Sequence, residues 1–119
     1  MTGRSELVRR CYRAFNMRDR AEIERLLAPG FTFTSPLDDA IDRAEFFVRC
    51  WPNADRIHEH VIERIFVEGD AAYVTYLAIT VEGMQFRNTE FLTFTGEQIA
   101  SVDVFFGASY EDGEFKKQA

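Results

Sequence analysis

Asn88, Glu90, Leu92 and Phe94 alternate along the stretch NTEFLTF, so a β-strand here sets a carboxylate in line with a leucine and a phenylalanine. An unpaired charge on an apolar face is costly, so Glu90 is either paired for structure or chemically employed. In a phenylalanine-lined space without a close cation its pKa should rise, leaving a neutral acid able to donate to a ligand carbonyl. His58 and His60 are spaced H-x-H, so both could project from one strand face. If one of them reaches Glu90, imidazole and carboxylate together would supply acid–base chemistry near neutral pH. The bland alternative is a histidine hydrogen-bonded at a pocket mouth or exposed on an edge strand. Two nitrogens do not make a metal site and no third ligand is fixed nearby, so no metal and no other cofactor is expected.

Other groups read as structural. Asp38 and Asp39 precede a helix cap and are expected to be solvated turn residues. Cys11 and Cys50 are too few and too far apart for a disulfide framework or zinc knuckle, and both fall on apolar helix faces as small buried thiols. Arg87 should face away from Glu90 by alternation, whereas Arg49 and Arg64 remain possible structural partners for that carboxylate.

The elements that position these groups are legible from periodicity. Leu7, Val8, Cys11, Ala14 and Phe15 form one stripe of an amphipathic helix over about residues 5–17. Asp19 with Glu22 reads as a capping box opening a second helix, which Pro29-Gly30 ends. A short strand, FTFTS, follows. Asp42 with Glu45 opens a third helix that buries Phe46, Phe47, Cys50 and Trp51 until Pro52. Segments 56–67, 71–81, 85–95 and 98–107 are rich in β-branched and aromatic residues and separated by short turns, which predicts an antiparallel meander. The expectation is one α+β domain over residues 1–119, three helices packed on a strongly curved antiparallel sheet, with a polar tail from about 110.

Neither face of that sheet is polar. Tyr73, Thr75, Leu77 and Ile79 alternate with Val74, Tyr76 and Ala78. If helices cover one face, Val74, Tyr76, Phe91 and Phe105 would leave an apolar patch on the other, and a partner subunit is the expected cover. The domain is therefore predicted to be a homodimer through its outer sheet face.

With 119 residues and 46% hydrophobic content, the chain can bury a real core, and twelve phenylalanines make it an aromatic one. A formal net charge of −6 argues against nucleic acid or an anionic membrane as partner. The early arginines (Arg4, Arg9, Arg10, Arg13, Arg18, Arg20) interleave with apolar residues as a solvated helix face would. No leader-like segment and no apolar run near the roughly 18 residues of a membrane span is visible, so a cytoplasmic protein is expected.

The order of helix, helix, short strand ending in TSP, helix ending in CWPN, then VEGDAAYVTY, FRNTEFLTFTGEQI and VDVFFG resembles the nuclear-transport-factor-2-like (NTF2-like) superfamily, specifically its SnoaL-like polyketide-cyclase branch, over about residues 5–107. The resemblance implies a cone whose open end is a small-molecule pocket. It also implies that Glu90 falls where ketosteroid isomerases carry the protonated acid of their oxyanion hole. Cys11 falls where they carry a tyrosine, with Tyr12 one place off, and Ser35 falls where they carry the proton-abstracting aspartate. Two of three positions depart, so a bona fide steroid isomerase is not expected. Val102, Val104 and Phe106 match pocket-facing positions, and Val104 stands where cyclases and epoxide hydrolases often use a carboxylate.

By the same resemblance the pocket holds Glu90, His60 and Tyr12 as candidate catalytic groups, lined by Phe33, Ser35, Trp51, Tyr73, Asn88, Val104 and Phe106. The expected function is binding of a small hydrophobic molecule, with acid–base catalysis of the isomerase, cyclase or dehydratase type on a hydrophobic carbonyl or cyclic substrate. A non-catalytic binding module and a protein–protein adaptor of the same shape are the alternatives.

Overall fold

The computed structural model of the protein describes residues 3–116. Helix α1 (Arg4–Asn16) and α2 (Arg20–Leu26) lead into strands β1 (Leu27–Ser35) and β2 (Asp38–Asp42). Helix α3 (Arg43–Arg49) and a 3-10 turn (Trp51–Arg56) follow, then β3 (Ile57–Glu68), β4 (Ala71–Thr80), β5 (Gln85–Thr95), β6 (Gln98–Glu111) and β7 (Glu114–Lys116).

Local chemistry sets most boundaries. Arg18 turns the chain after α1 with a left-handed φ of 55°, and Asp19 then caps α2 by accepting from Glu22 N at 3.1 Å. Asp42 caps α3 in the same way, accepting from Glu45 N at 2.9 Å. Only half of the first capping box forms as expected, because Glu22 turns its carboxylate to Arg10 and Arg25. The third helix stops at Arg49, earlier than Pro52 suggests, and the chain continues as the 3-10 turn.

The four long segments form the expected meander, β3-β4-β5-β6, but the sheet as a whole is mixed. Its order is β2-β1-β6-β5-β4-β3, and β1 runs parallel to β6, with Phe33 opposite Val102. The chain reaches that pairing through α3 and the meander, a crossover that only a long connection permits. Two further strands were not expected. Asp38–Asp42 pairs with β1 where a solvated turn was read, and Glu114–Lys116 folds back on the end of β6 where a polar tail was read; residues 117–119 of that tail lie outside the described residues.

Bulges bend the sheet. They fall at His58 and Glu63 on β3 and between Phe86 and Asn88 where β5 meets β6. The helices close over the concave side, α1 against β3 and β4, α3 against β1. Between them lies the core: Leu7, Val8 and Ile23 from the helices, Phe31 and Phe46, and Val74, Ala78, Leu92 and Ile99 from the sheet. Burial of a phenylalanine such as Phe31 contributes about 2–3 kcal/mol.

The face assignment needs one correction. Val74 and Tyr76 lie on the concave, buried side opposite Glu90 and Asn88, while Phe91 and Phe105 lie on the convex side with Tyr73. Alternation separates the two sets, so Tyr76 cannot belong to an outer interface.

Candidate functional site

The concave side and the helices enclose a cavity of about 610 Å³, within the range of small-molecule sites. Leu27, Phe31, Leu92 and Val102 line its closed part; the exposed Leu37, Glu82 and Phe106 mark its mouth. No helix of the described residues is long and apolar enough to cross a membrane.

Glu90 lines this cavity and is partly buried. Tyr12 Oη donates to Glu90 Oε1, and Tyr76 Oη donates to Oε2 at 2.7 Å. Asn88 Nδ2 in turn donates to the Tyr76 oxygen at 3.1 Å, while Asn88 Oδ1 accepts from Gly107 N at 3.1 Å. The polarity of this chain starts from a backbone N–H that can only donate. It therefore fixes the Asn88 amide and aims the Tyr76 proton at Glu90.

Burial raises the Glu90 pKa, and the two tyrosine hydrogen bonds oppose that rise without cancelling it. Burial likewise pushes both tyrosines well above their usual range, with the Glu90 charge adding to it, so they keep their protons and act as donors. Among the described residues no cation pairs with Glu90. Arg49 goes to Asp38 at 2.9 Å, Arg64 is exposed, and Arg87 faces outward as alternation requires, to Glu63 at 2.7 Å.

His60 reaches the cavity, but not Glu90 directly. Its ring packs edge-on against Tyr76 and Tyr12, at centroid distances of 5.0 and 5.6 Å, so the tyrosines stand between imidazole and carboxylate. Burial, with the nearby Arg18 charge, lowers its pKa to about 4. His58 is exposed: the bulge at this residue breaks alternation, so the H-x-H pair does not share a face.

Among the expected lining residues, Phe33, Ser35, Asn88, Val104 and Phe106 do line the cavity. Tyr73 does not; it is half-exposed on the convex face against Phe91, at a centroid distance of 4.8 Å. Nor does Trp51, which packs behind the wall against Phe15 at 5.3 Å, because α3 ends before it. Cys11 lines the cavity too, its thiol raised by burial and by the charge of Glu90.

Tyr76, Glu82 and Asp38 also line the cavity and were missed in the sequence. The Asp38 side chain, 9% exposed, lines the cavity while it pairs with Arg49 and accepts from Ser35 Oγ at 3.0 Å. Ser35 is thus tied to a neighbour. The signal for Asp38 is non-local, since the buried position arises only when β2 pairs with β1 and α3 brings Arg49 back.

Comparison with known proteins agrees with this architecture. Residues 8–102 match the SnoaL-like domain family. An NTF2-like protein of unknown function from Cytophaga hutchinsonii is 18% identical, covering 89% of this chain and 91% of that one, with a TM-score of 0.74. A candidate polyketide cyclase from Sinorhizobium meliloti is 18% identical over 84% of this chain and 94% of that one, TM-score 0.70. A candidate ketosteroid isomerase from Kribbella flavida is 19% identical over 89% and 78%, TM-score 0.76. No curated protein matches. At such identities the neighbours speak to fold alone, and the family match carries the assignment: the chain belongs to the SnoaL-like domain family.

Proposed function

We propose that this protein binds a small hydrophobic carbonyl or cyclic compound and acts on it by acid–base catalysis centred on Glu90. The observation that supports this reading most is a buried carboxyl with no cation partner among the described residues, held between two protonated tyrosines inside a largely apolar cavity. A pKa raised by burial makes Glu90 a stronger base than an ordinary carboxylate, and Tyr12 and Tyr76, each spending its one hydroxyl proton on Glu90, hold that carboxyl in place inside the cavity. No cofactor is needed for such a proton transfer. A cytoplasmic location and a second copy of the chain over the convex face belong to the same proposal.

The alternative is a binding module without turnover. Ser35 engaged with Asp38, and the aliphatic Val104, favour it, because neither supplies a second base.

Glu90→Gln separates the two readings. Steroids, polyketide fragments and terpenoid epoxides are first screened by thermal shift, and each hit is assayed for turnover. For an enzyme the substitution should lower turnover by about a hundredfold or more while affinity stays within about threefold. A binding module keeps its affinity and turns nothing over before or after. Loss of folding by several kcal/mol would instead assign Glu90 a structural role.

A further inference from the structure

Asn16 and His60 meet through three hydrogen bonds. His60 N donates to Asn16 Oδ1 at 2.8 Å, Asn16 Nδ2 donates to His60 O at 3.1 Å, and His60 Nδ1 lies 2.9 Å from that same Asn16 Oδ1. A backbone N–H is only a donor and a backbone carbonyl only an acceptor, so the first two bonds fix which end of the Asn16 amide is oxygen. The third follows. Facing an oxygen acceptor, Nδ1 must carry the hydrogen, and in a neutral ring Nε2 is then bare.

The ring packs among Tyr12, Phe15 and Tyr76 on the cavity wall. Its Nε2 has no hydrogen bond among the described residues, yet it is not sealed off, since Arg43 Nε is the one sealed side-chain polar atom left unpartnered among them. Both tyrosine hydroxyls point elsewhere, to Glu90. With its pKa lowered to about 4, the imidazole stays neutral at physiological pH and is too weak a base for proton abstraction, but it remains a hydrogen-bond acceptor.

We propose that His60 is the specificity-determining residue of this cavity: Asn16 locks its tautomer so that bare Nε2 accepts a hydrogen bond from a ligand hydroxyl, selecting apolar cyclic compounds that carry such a group. This rests on the cavity being a small-molecule site, and it deepens that reading by naming the polar feature the ligand must present. An acceptor among aromatic rings discriminates strongly, because a ligand without a donor strips its water and returns nothing.

The test uses 2-naphthol and its methyl ether, 2-methoxynaphthalene, as probes, with calorimetric titration of the full chain and of His60→Phe. The full chain should bind the naphthol about tenfold more tightly than the ether, and His60→Phe should abolish the preference. Nitrogen-15 spectra of the imidazole at pH 7 add a readout that needs no variant. Nδ1 should appear protonated and Nε2 bare, with the Nε2 signal moving on addition of naphthol and not of ether. Equal binding of the two probes, or a ring protonated at Nε2, overturns the inference and leaves the acid–base reading of Glu90 standing. Failure of both probes to bind counts against the inference and against the cavity as a site for such ligands.

Discussion

Glu90 and His60 share one cavity, and burial moves their protonation in opposite directions because it favours the neutral form of each. For His60 the consequence for stability can be worked out. Above about pH 6.5 the ring is neutral folded and unfolded, and its contribution is complete. As pH falls from there towards about 4, the unfolded chain takes up a proton that the folded chain refuses, so stability is lost. The loss is at most about 3 kcal/mol. Urea denaturation between pH 7 and 4 should therefore show a steeper decline for the native sequence than for His60→Phe, and parallel declines would show that the ring is not desolvated as described. At this scale Glu90 was legible, since alternation alone put it on the apolar face. Of its partners, Tyr12, 78 positions away, was reached only through the family resemblance, whereas Tyr76 had been read on the outer face and was missed.

The elements reveal where sequence periodicity holds and where it slips. Strand β5 keeps strict alternation from Asn88 to Phe94, and its inner face came out as read. Strand β3 does not, because one bulge residue between Ile57 and Glu59 resets the phase and sends His58 to solvent while His60 turns inward. A bulge leaves no reliable mark in a single sequence, so this outcome could not be anticipated. The same holds for β2, whose pairing depends on β1 rather than on its own composition. The bulge at the end of β6 has a residue-level signature: a Cβ on Gly107 would stand 1.8 Å from the Arg87 carbonyl oxygen. Backbone cannot yield as a flexible side chain can, so Gly107→Ala must push β5 and β6 apart and disturb the bond from Gly107 N to Asn88. The expected cost is about 2 kcal/mol or more in chemical denaturation. A change below about 0.5 kcal/mol would show that the close approach is not required.

At the scale of the molecule, the helices satisfy only the concave side of the sheet. On the convex side Phe66, Tyr73 and Phe91 follow one another across β3, β4 and β5, and Phe105 stands nearby on β6. Phe66, Tyr73 and Phe105 are 68%, 50% and 52% exposed, an apolar surface that a lone domain rarely carries. A second copy of the chain is the proposed cover. Sedimentation at micromolar concentration should give a dimer, and Tyr73→Glu, which places a charge in the desolvated contact without touching the core, should shift it towards monomer. A monomer for the unaltered chain would remove this part of the account. That both sheet faces are apolar was legible; of the residues read on the outer one, Phe91 and Phe105 lie there and Val74 and Tyr76 do not, because curvature decides which face becomes the inside.

If Glu90 is a desolvated carboxyl poised to exchange a proton, its titration must show it. Carbon-13 labelling of glutamate side chains, with the Glu90 signal assigned by its loss in Glu90→Gln, gives the midpoint in the folded protein. That midpoint should lie clearly above the model-compound value of about 4.3, in keeping with burial outweighing the two tyrosine hydrogen bonds. A midpoint clearly below it would mean that those hydrogen bonds hold a permanent carboxylate, and the acid–base reading of the cavity would be wrong.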